Sequence, residues 1–568
     1  MPFTLAVLGV LAALPLLSAW SDPGAALADP LSELPVKLWM FESVPILGGR
    51  ADSIGWPNGG PLNNADPVGT AVTAVLRPIL GRSGAFNALI WAQTFANLTA
   101  AWLLASRFVA DRAAAVFGAA AFALTPIVLV YGVAGAVTDV LSLWPYPLAI
   151  RALFDAIDAG DRRGGALAGA LGALGFVTCP YNFVVFAALL VPAGAITLWR
   201  TRQAAAGALR RLVGVCAAAG LLGGALAGGW AAHMWSITEA RDSQMSTTHI
   251  RDTRHTPPYD DLSPAHPGRY TAYLVDYVAV GKAGLVQRQT GSRYLRAFSP
   301  GLVLLGVAAF ACVGAARRRA VPWVVAAGFC VLASTGPFLP VTRDLAATVP
   351  INVVWRLVHD GLPGGAWILE PFRYALPAAL ALAVAGALGA DALATRFGSG
   401  ASALVVQAWL LELAFLSPVP VPLPTASVVI PAEYAALDGL VGPGALLELP
   451  YFDRGTDRFR RVHFLNQLAH GRPIADEVIG FPARYLRENQ YAASLLAAEK
   501  DAGPLAVTVA DPSRVDADRA RLAADGFAAV VVTPSAYRSP EHRDAALALL
   551  APFGEPTRLG DVLVYRLR

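Results

Sequence analysis

FRYALPAALALAVAGALGADA occupies residues 372–392, with charge only at Arg373 and Asp391 near its two ends. About 20 apolar residues are what an α-helix needs to cross the hydrocarbon of a bilayer. Ten further segments read the same way: 3–20, 85–106, 113–131, 140–157, 164–179, 182–199, 212–233, 298–316, 321–339 and 401–417. The sequence therefore predicts an α-helical polytopic membrane protein with about eleven transmembrane helices. Composition agrees. The 568 residues are 55% hydrophobic and 15% charged, with a mean hydropathy of +0.51, whereas soluble chains are nearer a quarter charged. A net charge of +4 gives no sign of a nucleic-acid partner. Arginine dominates the basic residues, and Lys37, Lys282 and Lys500 are the only lysines. That bias, with abundant Ala and Gly, suggests a bacterial source rich in G and C.

Loop charge sets the expected orientation. Alternate connections carry Arg107 and Arg112, Arg162 and Arg163, Arg200 to Arg211, Arg317 to Arg319, and Arg396. Arginine in short loops marks the cytoplasmic side. The N-terminus is then inside, and the long connections 21–84, 234–297 and 340–371 lie outside. Residues 3–20 lack the positive start of a cleaved leader and read as a retained first helix. Segment 68–80, interrupted by Arg77 and Pro78, reads as interfacial or re-entrant. Segment 31–47 reads as a helix lying flat on the membrane through Leu31, Leu34, Leu38 and Phe41. Residues 1–417 thus form the transmembrane part.

From Pro418 the pattern changes. Four alternating prolines lead into residues 418–568, read as a soluble extracytoplasmic α/β domain. Its expected strands are Ala445–Leu449, Leu505–Val509, Ala528–Val532 and Val562–Tyr565, with helices at Arg514–Asp525 and Glu541–Leu550. Cys179, Cys216, Cys312 and Cys330 all fall in apolar segments. They read as packing residues, with no disulfide framework or metal spacing.

Chemistry is sought among polar groups near outer helix ends. Asp29 closely follows the first helix. Residues 55–67, GWPNGGPLNNADP, combine a Gly/Pro-fixed backbone with Asn58, Asn63, Asn64 and Asp66, and Trp56 offers a flat apolar face. Its plain alternative is a structured loop. Asp139 is a rare charge in a long apolar tract, costly unless it meets a partner or cavity; a buried hydrogen bond or helix cap would also explain it. Arg373 offers a guanidinium fork suited to phosphate, or a salt bridge to Glu370 or Asp360. The polar residues of 234–297, among them His249, His255, Asp260 and Asp261, lack zinc spacing.

These residues in this order resemble the GT-C superfamily of membrane glycosyltransferases, more narrowly its bacterial mannosyltransferase-like and YfhO-like groups. Ala28-Asp29-Pro30-Leu31 through Trp39 looks like the family's first-loop acid and juxtamembrane helix. Gly55 to Pro67, Asp139 to Pro147, Ser334-Thr335-Gly336-Pro337 and Pro371-Phe372-Arg373-Tyr374 look like further landmarks; Leu449-Pro450 and His470-Gly471-Arg472-Pro473 look like segments of relatives. The resemblance implies transfer of a sugar from a polyprenyl-phosphate donor to a lipid or cell-envelope glycan acceptor at the outer face of a bacterial inner membrane. Asp29 would be the catalytic base and Arg373 the phosphate ligand. Asp66 and Asp139 would orient the acceptor or a divalent metal, with Asn64 and Trp56 lining the site. Asp29 lacks the paired acid common in the family, and Asp139 stands outside a D-x-D. A non-catalytic envelope scaffold and a lipid-linked glycan transporter are the alternatives.

Overall fold

The computed structural model describes all residues except 1, 21, 23, 31, 58, 60, 63, 65, 202–205, 245–271, 280–284, 287–295, 342–347, 350, 366, 367, 369, 453–460, 477–483, 500–510 and 568. Every one of the eleven expected segments is helical over most of its length. Among the described residues four helices are long and apolar enough to cross a membrane: Pro67–Ala105, Thr138–Ala159, Arg210–Ile237 and Pro371–Phe397. The pair Arg112–Ala123 and Val128–Ala134, bent by 53°, makes a fifth if counted as one span. Pro2–Ser18, Pro180–Leu190, Leu302–Val313 and Ser399–Phe415 are apolar but shorter. This is a membrane protein, and it is mostly helical.

The helix Ala375–Phe397 is its axis. Every residue from Ala375 to Asp391 is buried, as expected of a helix apolar on all sides. Small residues let its neighbours approach closely. A Cβ on Gly386 would meet Leu304 and Phe117, and one on Gly389 would meet the Val307 carbonyl. One end of the bundle gathers arginines. Arg107 pairs with Asp155 at 2.6 Å and with Asp158, and Arg319 donates to the Phe108 carbonyl at 2.8 Å. Asp391 accepts from the amides of Ala110 and Asp111 at the same end.

Two expectations about the juxtamembrane segments change. Segment 68–80 runs into the following span as Pro67–Ala105, broken by non-helical backbone at Gly81 (φ 68°) just after Pro78. Helix Leu34–Ser43 does not lie flat on a lipid surface. Leu34, Leu38 and Phe41 join the helix core, as their spacing predicts. The opposite side is covered too: Val36, Trp39 and Met40 pack with Phe464 and Ile474 from the C-terminal part. Likewise, the helix Ala206–Gln244 continues into the first residues of connection 234–297; most of that connection lies outside the described residues, as do His249, His255, Asp260 and Asp261.

Among its described residues the C-terminal part carries a four-stranded sheet in the order β3-β4-β2-β1, from β1 (Ala445–Leu449), β2 (Phe527–Val532), β3 (Thr557–Leu559) and β4 (Val562–Arg566). β1 and β2 are parallel, and the other neighbours are antiparallel. A parallel pair needs a long crossover, here residues 450–526 with their helices. β1 and β2 are buried at every position because both faces are covered. Leu447, Leu449, Val530 and Val532 face one core. Leu446, Ala529 and Val531 face the other. Strands β1, β2 and β4 and the helices Val515–Ala524 and Pro540–Leu550 match the expected elements. The expected strand at 505–509 lies outside the described residues, and the short β3 was not anticipated.

Candidate active site

Five stretches of chain meet at the end of the bundle opposite the arginines. The site depends on a broken helix. Pro126 cannot continue the helix Arg112–Ala123, and the chain bends into a π-helical turn, Val128–Ala134. Ala136 then takes φ 54°, and a single short turn, Thr138–Leu141, places Asp139. Asn97, buried in the long span, clamps this break. Its Nδ2 donates to the Leu141 carbonyl at 2.7 Å, and its Oδ1 accepts from the Leu143 amide at 3.1 Å.

The connection that follows the first helix is stitched to the same break. The Asp29 amide donates to the Ala134 carbonyl at 2.7 Å, and the Glu33 amide to Gly135 at 3.1 Å. The helix that follows brings Lys37 inward, and its Nζ lies 2.6 Å from Asp139 Oδ1. Both residues are buried. Asp139 Oδ2 accepts from the Cys179 thiol at 3.7 Å, and Asn182 Nδ2 donates to the Asp139 carbonyl at 3.3 Å. Burial alone would lower the Lys37 ammonium. Asp139 outweighs it, with help from Asp66 and Glu33, so Lys37 titrates above the ordinary lysine range.

Asp66 caps the N-terminus of the long span. Oδ1 accepts from the Gly69 amide at 2.7 Å, and Oδ2 accepts from the Thr138 hydroxyl. Burial raises the Asp66 carboxyl above its ordinary value, against the pull of Lys37. Asn64 braces it: Oδ1 accepts from the Asp66 amide, and Nδ2 donates to Pro45 O and Thr70 Oγ1.

Arg373, in the turn Pro371–Tyr374, completes the cluster. Its Nε donates to Glu370 Oε2 at 2.8 Å, its Nη2 to the Tyr131 hydroxyl at 3.0 Å. The guanidinium carbon lies 5.0 Å from the Tyr181 ring centre and 5.6 Å from that of Tyr131. Asp139 is within its electrostatic reach. Arg373 Nη1 is buried and has no hydrogen-bond partner among the described residues.

Asp66, Asn64, Asp139 and Arg373 therefore gather with Lys37, Tyr131 and Cys179. Asp29 enters through its main chain at the edge of the break and is half-buried. Trp56 goes elsewhere. Its indole donates to the Asp525 carbonyl at 3.0 Å and packs on Gly526, where a Cβ would come within 3.0 Å of the ring. The Gly-rich loop carrying it is drawn to the C-terminal part, with the Trp56 amide bound to the Ile474 carbonyl. The Ser334–Pro337 landmark is a structural knot: Asn352 Nδ2 donates to the Thr335 hydroxyl and the Gly336 carbonyl within it, and to the Leu332 carbonyl just before it. Lys37 was not a sequence candidate. Its one signal was rarity, a lysine within the otherwise apolar run that ends in Leu38-Trp39-Met40-Phe41.

No protein-family model matches the sequence, and no curated protein matches it. Among solved structures the chain is similar to the arabinofuranosyltransferase AftD from Mycobacteria. The TM-score is 0.51 and the identity 14%, over 100% of this chain and 41% of that one. This chain thus spans about two fifths of AftD's length. It also matches the Archaeoglobus fulgidus oligosaccharyltransferase, with TM-score 0.45 and 10% identity over 94% of this chain and 68% of that one. Likeness at such identity is likeness of fold, and the class it defines is a multi-helical membrane protein.

Proposed function

We propose that the protein is a membrane glycosyltransferase that moves a sugar from a polyprenyl-phosphate donor to a lipid or cell-envelope glycan, at the non-cytoplasmic face of a bacterial inner membrane. The observation that carries this reading is Arg373. A buried guanidinium with an unpaired Nη1 is poised for an anionic oxygen, and a charge-assisted bond to phosphate satisfies it. Its other nitrogens are fixed by Glu370 and Tyr131, so the fork is oriented before ligand arrives.

The three acids divide by environment. Asp66 and Asp139 are buried with both carboxylate oxygens already accepting bonds. Asp29 keeps access to water, so it serves best as base. The acceptor hydroxyl gives its proton to Asp29 as its oxygen attacks the anomeric carbon. The carbon–oxygen bond to phosphate breaks, and Arg373 receives the charge on the departing polyprenyl phosphate. In this reading residues 418–568 form an extracytoplasmic domain whose contacts with helix Leu34–Ser43 overlie the site.

The test is binding of a short-chain polyprenyl phosphate to the full chain in nanodiscs, read by native mass spectrometry. Wild type should retain the lipid, and Arg373→Ala should lose it while binding zwitterionic phospholipid as before. Equal retention by the two proteins sinks the proposal.

A further inference from the structure

The resemblance to GT-C enzymes assigns Asp66 and Asp139 to the acceptor or a divalent metal, and the geometry allows the metal to be tested. Hard divalent ions require several oxygen ligands aimed at one point, and zinc requires converging nitrogen, sulfur or oxygen donors. Among the described residues no three His, Cys, Asp or Glu side chains converge in this way. The two acids are also already committed. Asp66 Oδ1 and Oδ2 accept from Gly69 and Thr138. Asp139 Oδ1 accepts from Lys37, and Oδ2 accepts from Cys179.

Charge points the same way. An ammonium already sits 2.6 Å from Asp139, and Asp66 lies within its electrostatic reach. Arg373 is a second cation in the same cluster. A divalent ion placed between the acids would face both at short range in a site of low dielectric, where like-charge repulsion is strongest. Lys37 also has no easy way out. Its helix is held by the membrane core on one side and by Trp39, Phe464 and Ile474 on the other.

We propose that Lys37 is the resident cation of this site, standing where a divalent ion would neutralise Asp66 and Asp139, so that the two acids hold no metal. Lys37 is a positioning residue. It fixes Asp139, and through Asp139 the broken helix that faces Arg373. This deepens the transferase reading and rests on it only for the purpose of the cluster.

The experiment is Mn2+ uptake by the full chain in nanodiscs, followed by the electron paramagnetic resonance signal of free Mn2+. Wild type and Lys37→Arg should leave the signal unchanged. Lys37→Met should take up one ion per chain, about tenfold or more tighter than wild type, and lose it again when Asp139→Asn is added. Stoichiometric uptake by wild type that Asp139→Asn abolishes would overturn the proposal, as would a folded Lys37→Met that binds no more than wild type. Should Lys37→Met fail to fold, wild type and Lys37→Arg decide, because uptake by either through Asp139 is fatal. Uptake is read without turnover, so a chain that transfers no sugar leaves this result standing.

Discussion

Arg373 and Lys37 are both buried cations, yet they are used differently. Lys37 is spent on one carboxylate, whereas Arg373 keeps one nitrogen in reserve. Arg373→Lys preserves the charge but removes the fork, and polyprenyl-phosphate affinity should fall by roughly 10- to 100-fold, measured by titration in nanodiscs. Asp29→Asn removes the proposed base while keeping size, and transfer should fall by about 10²–10⁴-fold, with lipid binding unchanged. An assay of labelled sugar incorporation into the glycolipid fraction separates these two effects. At this scale the sequence was informative where a charge interrupted an apolar tract, as at Asp139 and Arg373. It did not show which partner each charge would find. The Lys37–Asp139 pair spans 102 positions, and no local spacing encodes it. Trp56 shows the opposite limit, since an aromatic face suits a sugar or a protein core equally well, and the distant Gly526 decides.

Helices are the scale at which the chain was most legible. All eleven apolar segments form helix, because periodicity and punctuation by Gly, Pro and charge act locally. What did not follow was their continuity. Pro67–Ala105 breaks at Gly81, and the chain bends between Arg112–Ala123 and Val128–Ala134 at Pro126, so among the described residues four or five helices are long enough to span by length and composition. Asp66 illustrates how one residue serves an element. Asp66→Ala removes the cap and leaves Gly69 N–H and Thr138 O–H without their acceptor, for a loss of about 1–2 kcal/mol. A lower midpoint in thermal unfolding of the detergent-solubilised chain would register it. Gly389→Val should cost about 1–3 kcal/mol by the same measurement, because the Val307 carbonyl occupies the space a side chain needs. Exposed Gly400, with no neighbour near its Cβ position, is the control that should not respond in this way.

The whole molecule joins two kinds of core. In the C-terminal part, Glu448 on β1 is buried between His470 at 3.1 Å and Asn466 at 2.8 Å. Burial pushes its carboxyl up, but His463 and the His470 hydrogen bond pull harder, and the net shift is below the ordinary glutamate value. A carboxyl depressed in the folded state contributes stability above its unfolded value, near 4.3, and loses it as pH falls through the lower folded value. Amide hydrogen exchange in β1 and β2 should therefore accelerate as pH is lowered through about 4, once corrected for intrinsic rates, and Glu448→Gln should weaken that dependence. This sheet was half legible. Runs buried on both faces announced β1 and β2, whereas three-residue β3 pairs only because Gly560, at φ 54°, lets the chain double back onto β4.

Helix Leu34–Ser43 lies between those two cores, with no face left to solvent or lipid along most of its length. Any tug on the C-terminal part reaches Trp39 through Phe464, whose rings meet edge to face at 5.4 Å. Lys37 lies two positions away and would register the pull. A load on the C-terminal part would thereby adjust the tension on the Asp139 turn without ever touching it, much as a thumb on a violin's neck retunes a string that is bowed elsewhere.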